Sequence, residues 1–217
     1  MALAIFDLDN TLIANDSDFL WGEFLVAKGY VDGKQFAQAN ARFYEEYKAG
    51  TLDIMAYQHF VLKPLSQQSM STLNQWHQQF MAEYIEPIVL PKALAQVEYH
   101  RQRGDTLLII TATNTFITRP IGRRFGIDTL LGTEGKIVDN RYTGEVEGMP
   151  TFQQGKVIRL AQWMNENNQN LTDSYFYSDS HNDLPLLKEV THPVVVDGDA
   201  KLQEYARQHG WECISFR

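Results

Sequence analysis

This 217-residue chain carries a single cysteine, Cys213, so no internal disulfide can form. A disulfide-stapled fold is excluded, and a reducing compartment is the natural setting. Cys213 reads as a small apolar residue of a late strand rather than as a nucleophile. Basic charge is also scarce: 19 Lys and Arg oppose 27 Asp and Glu, for a net charge of −8. Nothing here attracts nucleic acid or an anionic membrane surface. No apolar run approaches the ~20 residues that span a bilayer. The first ten residues, MALAIFDLDN, lack the basic start and long apolar stretch of a signal peptide and already contain two acids. The expectation is a cytoplasmic protein, a monomer or weak homodimer, without a nucleic-acid or membrane partner. No internal repeat or low-complexity tract interrupts the chain. A hydrophobic fraction of 44% is ordinary for a globular protein and supplies a sizeable core without a structural metal.

The first element is a short apolar run, residues 3–8, that ends in acids and predicts a buried strand. Residues 17–86 differ. They are rich in Gln, Ala, Glu, Tyr and Phe and predict four helices with no strand between them. Two of these close at Gly29 and Gly50. From residue 88 onward strands and helices alternate. Helix ALAQVEYHRQRG is followed by an apolar strand over 106–110, and helix TFITRPIGRRFG by a hairpin around Asp139-Asn140. FQQGKVIRLAQWMNEN predicts a helix, then SYFYS a strand and HNDLPLLKEV a helix, with THPVVVD and WECISF as the last strands. Alternation of this kind implies a parallel sheet with crossover helices. The expected fold class is α/β: a Rossmann-like three-layer core of residues 1–14 and 87–217, with residues 15–86 inserted as a helical domain after the first strand.

Four short motifs carry polar residues at predicted strand ends. Asp7 and Asp9, in DLDNT, stand two apart; neighbouring carboxylates repel unless a proton or cation holds them. Magnesium, a hard cation with oxygen ligands, suits such a pair at a phosphate site. One carboxylate can then attack phosphorus while the other manages protons. The plainer reading is two solvated turn acids. Thr111 follows the run LLII and can hold a phosphoryl oxygen, although many strands end in threonine. Lys156 lies near a helix start, against the helix dipole, where an anion would explain it; otherwise it is a surface lysine. Asp179 and Asp183, in SDSHND, offer further metal ligands at a strand-to-helix junction, or Asp183 is a helix-capping acid. All four motifs fall on the sheet edge where open α/β folds bind ligands.

DxDxT, an apolar run ending in threonine, a lone lysine and SDSxND, in that order, resemble the haloacid dehalogenase superfamily of phosphohydrolases. The helical insertion resembles the cap of its phosphoserine-phosphatase-like subclass, and the likeness covers essentially the whole chain. It implies Asp7 as nucleophile and Asp9 as general acid and then base. It implies Thr111, Lys156 and Asn182 at the phosphoryl group. It implies Mg2+ held by Asp7, the main-chain carbonyl of Asp9, Asp179 and, directly or through water, Asp183. An aspartate at position 9 matches the phosphatases of the superfamily rather than its dehalogenases or ion pumps.

Asn15-Asp16-Ser17-Asp18 sits where related amino-acid phosphatases carry a substrate-binding acid. Asp16 or Asp18 can pair with a substrate ammonium, while Asp16 or Ser17 is equally a good helix N-cap. Trp21, Arg42, Phe43, Tyr44 and Glu45 either line a pocket or belong to the helical core. His181 reads as a supporting or surface residue. The resemblance is nearest a proteobacterial branch linked to histidinol phosphate, with phosphoserine and phosphoethanolamine-like esters open as alternatives. A phospho-aspartate receiver switch shares the fold class and the magnesium, but its acceptor aspartate follows a later strand and it has no 70-residue insertion.

Overall fold

A computed structural model describes residues 2–217. Strand β1, Leu3–Phe6, is buried along its whole length. It lies between two parallel neighbours, so a continuous apolar run suits it better than an alternating one. The other strands are β2 (Thr106–Asn114), β3 (Leu130–Val138), β4 (Arg141–Glu147), β5 (Tyr175–Ser178), β6 (His192–Val196) and β7 (Glu212–Ile214). They form one seven-stranded sheet in the order β4-β3-β2-β1-β5-β6-β7, parallel except for the edge strand β4. The β3–β4 turn places Asp139 and Asn140 at φ 49° and 59°. Asp and Asn tolerate that left-handed backbone, which a tight two-residue hairpin requires. Cys213 does lie in the last strand, but it is exposed rather than packed.

Successive strand residues point to opposite faces, and two apolar clusters result. Phe6 and Ile109 join one; Ile5, Leu108 and Ile110 join the other. The second face is covered by α7 (Gln154–Asn167), α8 (Leu184–Leu187) and α9 (Ala200–His209), which contribute Leu160, Leu187 and Leu202. On the first face lie α5 (Pro91–Gln102), α6 (Thr115–Arg124) and the long helical segment between β1 and α5. The architecture is therefore α/β in three layers.

That segment holds α1 (Ser17–Ala27), α2 (Gly33–Ala49), α3 (Ile54–Ser66) and α4 (Met70–Phe80). Asp16, Asp53 and Ser69 cap α1, α3 and α4 by accepting from main-chain N–H groups of the first turn. The helix expected to run through Ile85 instead loosens into a π turn at Met81–Ile85 and a 3-10 turn at Glu86–Ile88. Pro87 accounts for this, since it lacks an N–H and bars the preceding residue from continuing an α-helix. The segment packs firmly on the sheet layer. Trp21 meets Phe116 edge-on at 5.4 Å, and His77 Nε2 lies 2.9 Å from the Ile117 carbonyl. No helix among the described residues is long and apolar enough to cross a membrane.

Candidate active site

The register of the three central strands assembles the site. Phe6 pairs with Ile109 on β2 and with Tyr177 on β5, so the chain leaves the sheet at Asp7 beside Ser178 and Asp179. The Asp7 N–H continues the ladder by donating to the Tyr177 carbonyl at 2.9 Å. The chain then turns at once: the Leu8 carbonyl accepts from the N–H groups of Thr11, Leu12 and Ile13, and Asn10 takes φ 58°. β1 is thus shorter than expected and β2 longer, for β2 runs on past Thr111 to Asn114. Thr111 stands within that strand, where its pairing with β3 is irregular.

Lys156 is the hub. Only 3% of its side chain is exposed, so it is no surface lysine. Its Nζ donates to Asp7 Oδ1 at 2.8 Å and to Asp183 Oδ2 at 2.7 Å. Gly155 makes this placement possible, because a β-carbon there would stand 2.1 Å from the Pro150 carbonyl oxygen. Burial works against the charge of Lys156, but Asp183 and Asp7 outweigh it and hold its pKa above the ordinary lysine value. Asp183 also accepts from Ser178 Oγ at 2.7 Å. It precedes α8 but makes no capping bond, so its carboxylate serves the site and not the helix.

Asp9 accepts from the Ser17 N–H at 2.7 Å and from Thr113 Oγ1 at 2.9 Å, with Thr111 Oγ1 at 3.4 Å. Burial nevertheless raises its pKa, against the lowering effect of Ser17 and Thr113. Burial also lifts Asp7, partly opposed by Lys156 and reinforced by Asp183 and Asp9, to about 7. Asp179 accepts from Thr11 Oγ1 at 3.1 Å, and burial with Asp7 and Asp183 close by drives its pKa well up. Asn182 donates to the Tyr47 carbonyl at 3.1 Å and accepts from Gln153 at 3.0 Å, so it ties α2 to the sheet layer. One amide proton of Asn182 remains for another acceptor.

The space between α1–α3 and the strand ends is a pocket lined by five aspartates, Asp7, Asp9, Asp16, Asp18 and Asp183, and a single cation, Lys156. Asp16 fulfils the N-cap reading through Oδ1, which accepts from the Phe19 N–H at 2.8 Å, and it lines the pocket as well. Burial and the neighbouring Asp9 raise its pKa to about 7. Phe43 and Tyr44 line the pocket, whereas Trp21 is core and Arg42 and Glu45 are exposed on α2. His181 is held by Asp199 at 2.7 Å, outside the lysine hub.

The donor set suits a hard cation in part. No three acidic, histidine or cysteine side chains among the described residues form a metal cluster by themselves, and Lys156 occupies Asp183. Burial and the neighbouring Asp7, however, raise the pKa of Asp179, which has Thr11 as its hydrogen-bond donor but no cation. Two repelling carboxylates, main-chain oxygen and water make an acceptable magnesium shell, since magnesium keeps several waters. Motif reading gave no role to Thr11 and Ser178, although both belong to the motifs quoted, and it missed Thr113, two residues beyond Thr111. It also missed Tyr47, Tyr57 and Asn114, which carry no local signal.

Residues 4–188 match the family of haloacid dehalogenase-like hydrolases. A histidinol-phosphatase of Neisseria meningitidis serogroup C is 45% identical, with 99% of each chain covered. A phosphoserine phosphatase of Mycobacterium tuberculosis is 31% identical, covering 100% of this chain and 71% of its own. A substrate-bound phosphoserine phosphatase shares the fold at a TM-score of 0.72 and 17% identity, with 98% and 92% of the chains covered.

Proposed function

The chain belongs to the haloacid dehalogenase-like hydrolases and is a phosphatase, and on that footing we propose that it hydrolyses a small amino-containing phosphate ester, histidinol phosphate, through a magnesium-dependent aspartyl-phosphate on Asp7. Residues 15–86 act as the cap that closes over the substrate.

In this reading Lys156 fixes one oxygen of Asp7, and the other attacks phosphorus while the ester P–O bond breaks. Asp9, whose raised pKa favours the protonated form, gives its proton to the leaving alcohol. The resulting carboxylate then takes a proton from the water that attacks the phosphorus, freeing phosphate and Asp7. Thr111, Lys156 and the spare amide proton of Asn182 hold the equatorial oxygens as charge shifts onto the leaving group. Asp7, Asp179 and the Asp9 carbonyl, with Asp183 beside them, would hold magnesium, which would supply charge neutralisation at the phosphoryl group.

The charge of the pocket carries the substrate assignment. Five aspartates face one lysine, and Asp7 and Asp183 already engage that lysine. A simple anionic ester would meet an acidic wall. An ester that also carries an ammonium relieves it at Asp16 or Asp18. The similarity to a histidinol-phosphatase favours the same class, and phosphoserine and phosphoethanolamine are the alternatives. The test is kcat/KM with magnesium across amino phosphates and uncharged sugar phosphates, for the wild type and Asp16→Asn. Amino phosphates should lead, and the variant should erase that lead. Preference for sugar phosphates would overturn the substrate assignment and leave the phosphatase intact.

A further inference from the structure

Phosphoethanolamine, phosphoserine and histidinol phosphate share one skeleton: a phosphate ester, a methylene and a carbon bearing an ammonium. They differ in the last substituent on that carbon, which is hydrogen, carboxylate or an imidazolylmethyl group. We propose that Asp18 determines specificity by reading this third substituent, accepting a ring N–H and refusing a carboxylate. This rests on the amino-phosphate reading and assigns Asp16 and Asp18 separate tasks.

Asp18 is 2% exposed, on the first turn of α1. It is the pocket-lining residue, among those described, that also holds a buried side-chain oxygen without a hydrogen-bond partner, Oδ2. Asn114 Nδ2 reaches its other oxygen, Oδ1, at only 3.5 Å. Burial, with Asp16 and Asp9 close by, pushes the Asp18 pKa well above the ordinary carboxylate value; the Tyr57 hydroxyl opposes this but makes no bond of normal geometry to Oδ2. A buried carboxylate oxygen left unpaired costs free energy unless a ligand donor reaches it. Imidazole donates an N–H whether neutral or charged, and a carboxylate never does.

Position agrees with chemistry. Asp9, Asp16 and Asp18 line one pocket with Lys156. Asp9 accepts from the Ser17 N–H and lies with the phosphoryl-binding residues, whereas Asp18 faces Asn114, so the acids are spread along the pocket as ammonium and third substituent are along the substrate. Tyr57, next to Asp18, stacks edge-on with Phe43 at 5.3 Å, and both line the pocket, giving a flat ring apolar walls. A substrate carboxylate finds no counter-ion. Arg42 and Lys48, the cations on this stretch of α2, are exposed, line no part of this pocket, and pair with Glu46 and Glu45.

The test is kcat/KM for the three esters in wild type, Asp16→Asn and Asp18→Asn with magnesium. The wild type should rank imidazolylmethyl above hydrogen above carboxylate. Asp18→Asn should lower the ratio of imidazolylmethyl to hydrogen by about tenfold or more, the scale of one lost charged hydrogen bond. Asp16→Asn should lower both esters together, and its failure to do so would sink the ammonium assignment without touching Asp18. A ratio unchanged in Asp18→Asn, or phosphoserine turned over by the wild type as well as the imidazole ester, overturns the proposal. If Asp18→Asn does not fold, product inhibition of the wild type decides. Free histidinol should inhibit about tenfold or more tightly than ethanolamine, and equal inhibition refutes the assignment.

Discussion

Replacing Lys156 by methionine keeps the volume of the side chain and removes the charge that Asp7 and Asp183 share. Each carboxylate oxygen lies within 2.8 Å of Nζ, and both acids are nearly fully buried. At an effective dielectric of about 20, one such pair is worth about 6 kcal/mol of Coulomb attraction, before the desolvation that opposes it. The measured outcome of breaking a buried pair is a loss of about 3–5 kcal/mol, because the partner charge is stranded. For a chain of this size that lowers Tm by roughly 6–20 °C. The sign of the pH dependence follows from Asp7, lifted from 3.8 to about 7 in the folded state. The native protein binds the proton that the unfolded chain has shed, so acidification through that window stabilises, and the penalty is complete only above about 7. Without Lys156 the pKa of Asp7 climbs further. The gap between variant and wild type should therefore be wide at pH 8.5 and narrow at pH 5.5, measured by thermal unfolding in chelator. A variant as stable as wild type at pH 8.5, or an equal gap at both pH values, would refute the claim that Lys156 lowers the pKa of Asp7.

Three further outcomes follow from the same site. Chelated enzyme should be inactive and recover with magnesium, and magnesium should raise Tm more at pH 8 than at pH 5.5, where Asp7 and Asp16 carry protons; activity in excess chelator would count against the cation. Asp9→Asn should slow hydrolysis of an alkyl phosphate by about 10²–10⁴-fold and nitrophenyl phosphate much less, since nitrophenolate leaves without help; equal losses would remove Asp9 as the acid. Gly50 ends α2 at φ 78°, and a β-carbon there would meet His181 Nε2 at 2.9 Å. Gly50→Ala should cost about 1–2 kcal/mol in denaturant unfolding and raise KM by loosening α2 from the sheet layer, and a neutral result would show that this contact does not hold the cap.

The sheet and its crossovers were legible because buried parallel strands leave unbroken apolar runs such as LAIF and LLII, and because Gly50, Gly104 and Gly210 mark helix ends. Asp7 and Asp183 were legible as candidates because each stands where a strand gives way toward a helix, and Lys156 because it lies in the first turn of α7; Thr111 was placed at a strand end but stands within β2. Their contacts were not. Nothing near Lys156 in the sequence shows that Gly155 lets α7 approach Pro150 and so brings Nζ between two aspartates 149 and 27 residues away. Asp16 shows a different limit: the side chain that caps α1 also lines the pocket, so the cap does not exclude a second task. The surroundings of Asp18 are set by Asn114, which approaches Oδ1, and by Tyr57, from two other elements, and no local pattern encodes that meeting or the oxygen it leaves unpaired.

The measurement that bears most directly on the account is the identity of the phosphorylated residue. Enzyme turning over histidinol phosphate with magnesium is quenched rapidly, treated with borohydride to reduce any acyl phosphate, digested and mapped by mass spectrometry. The account predicts homoserine at position 7 in wild type and no reduction at any aspartate in Asp7→Asn, which should also be inactive. Phosphate on another side chain, or an Asp7→Asn protein that still turns over, would contradict it.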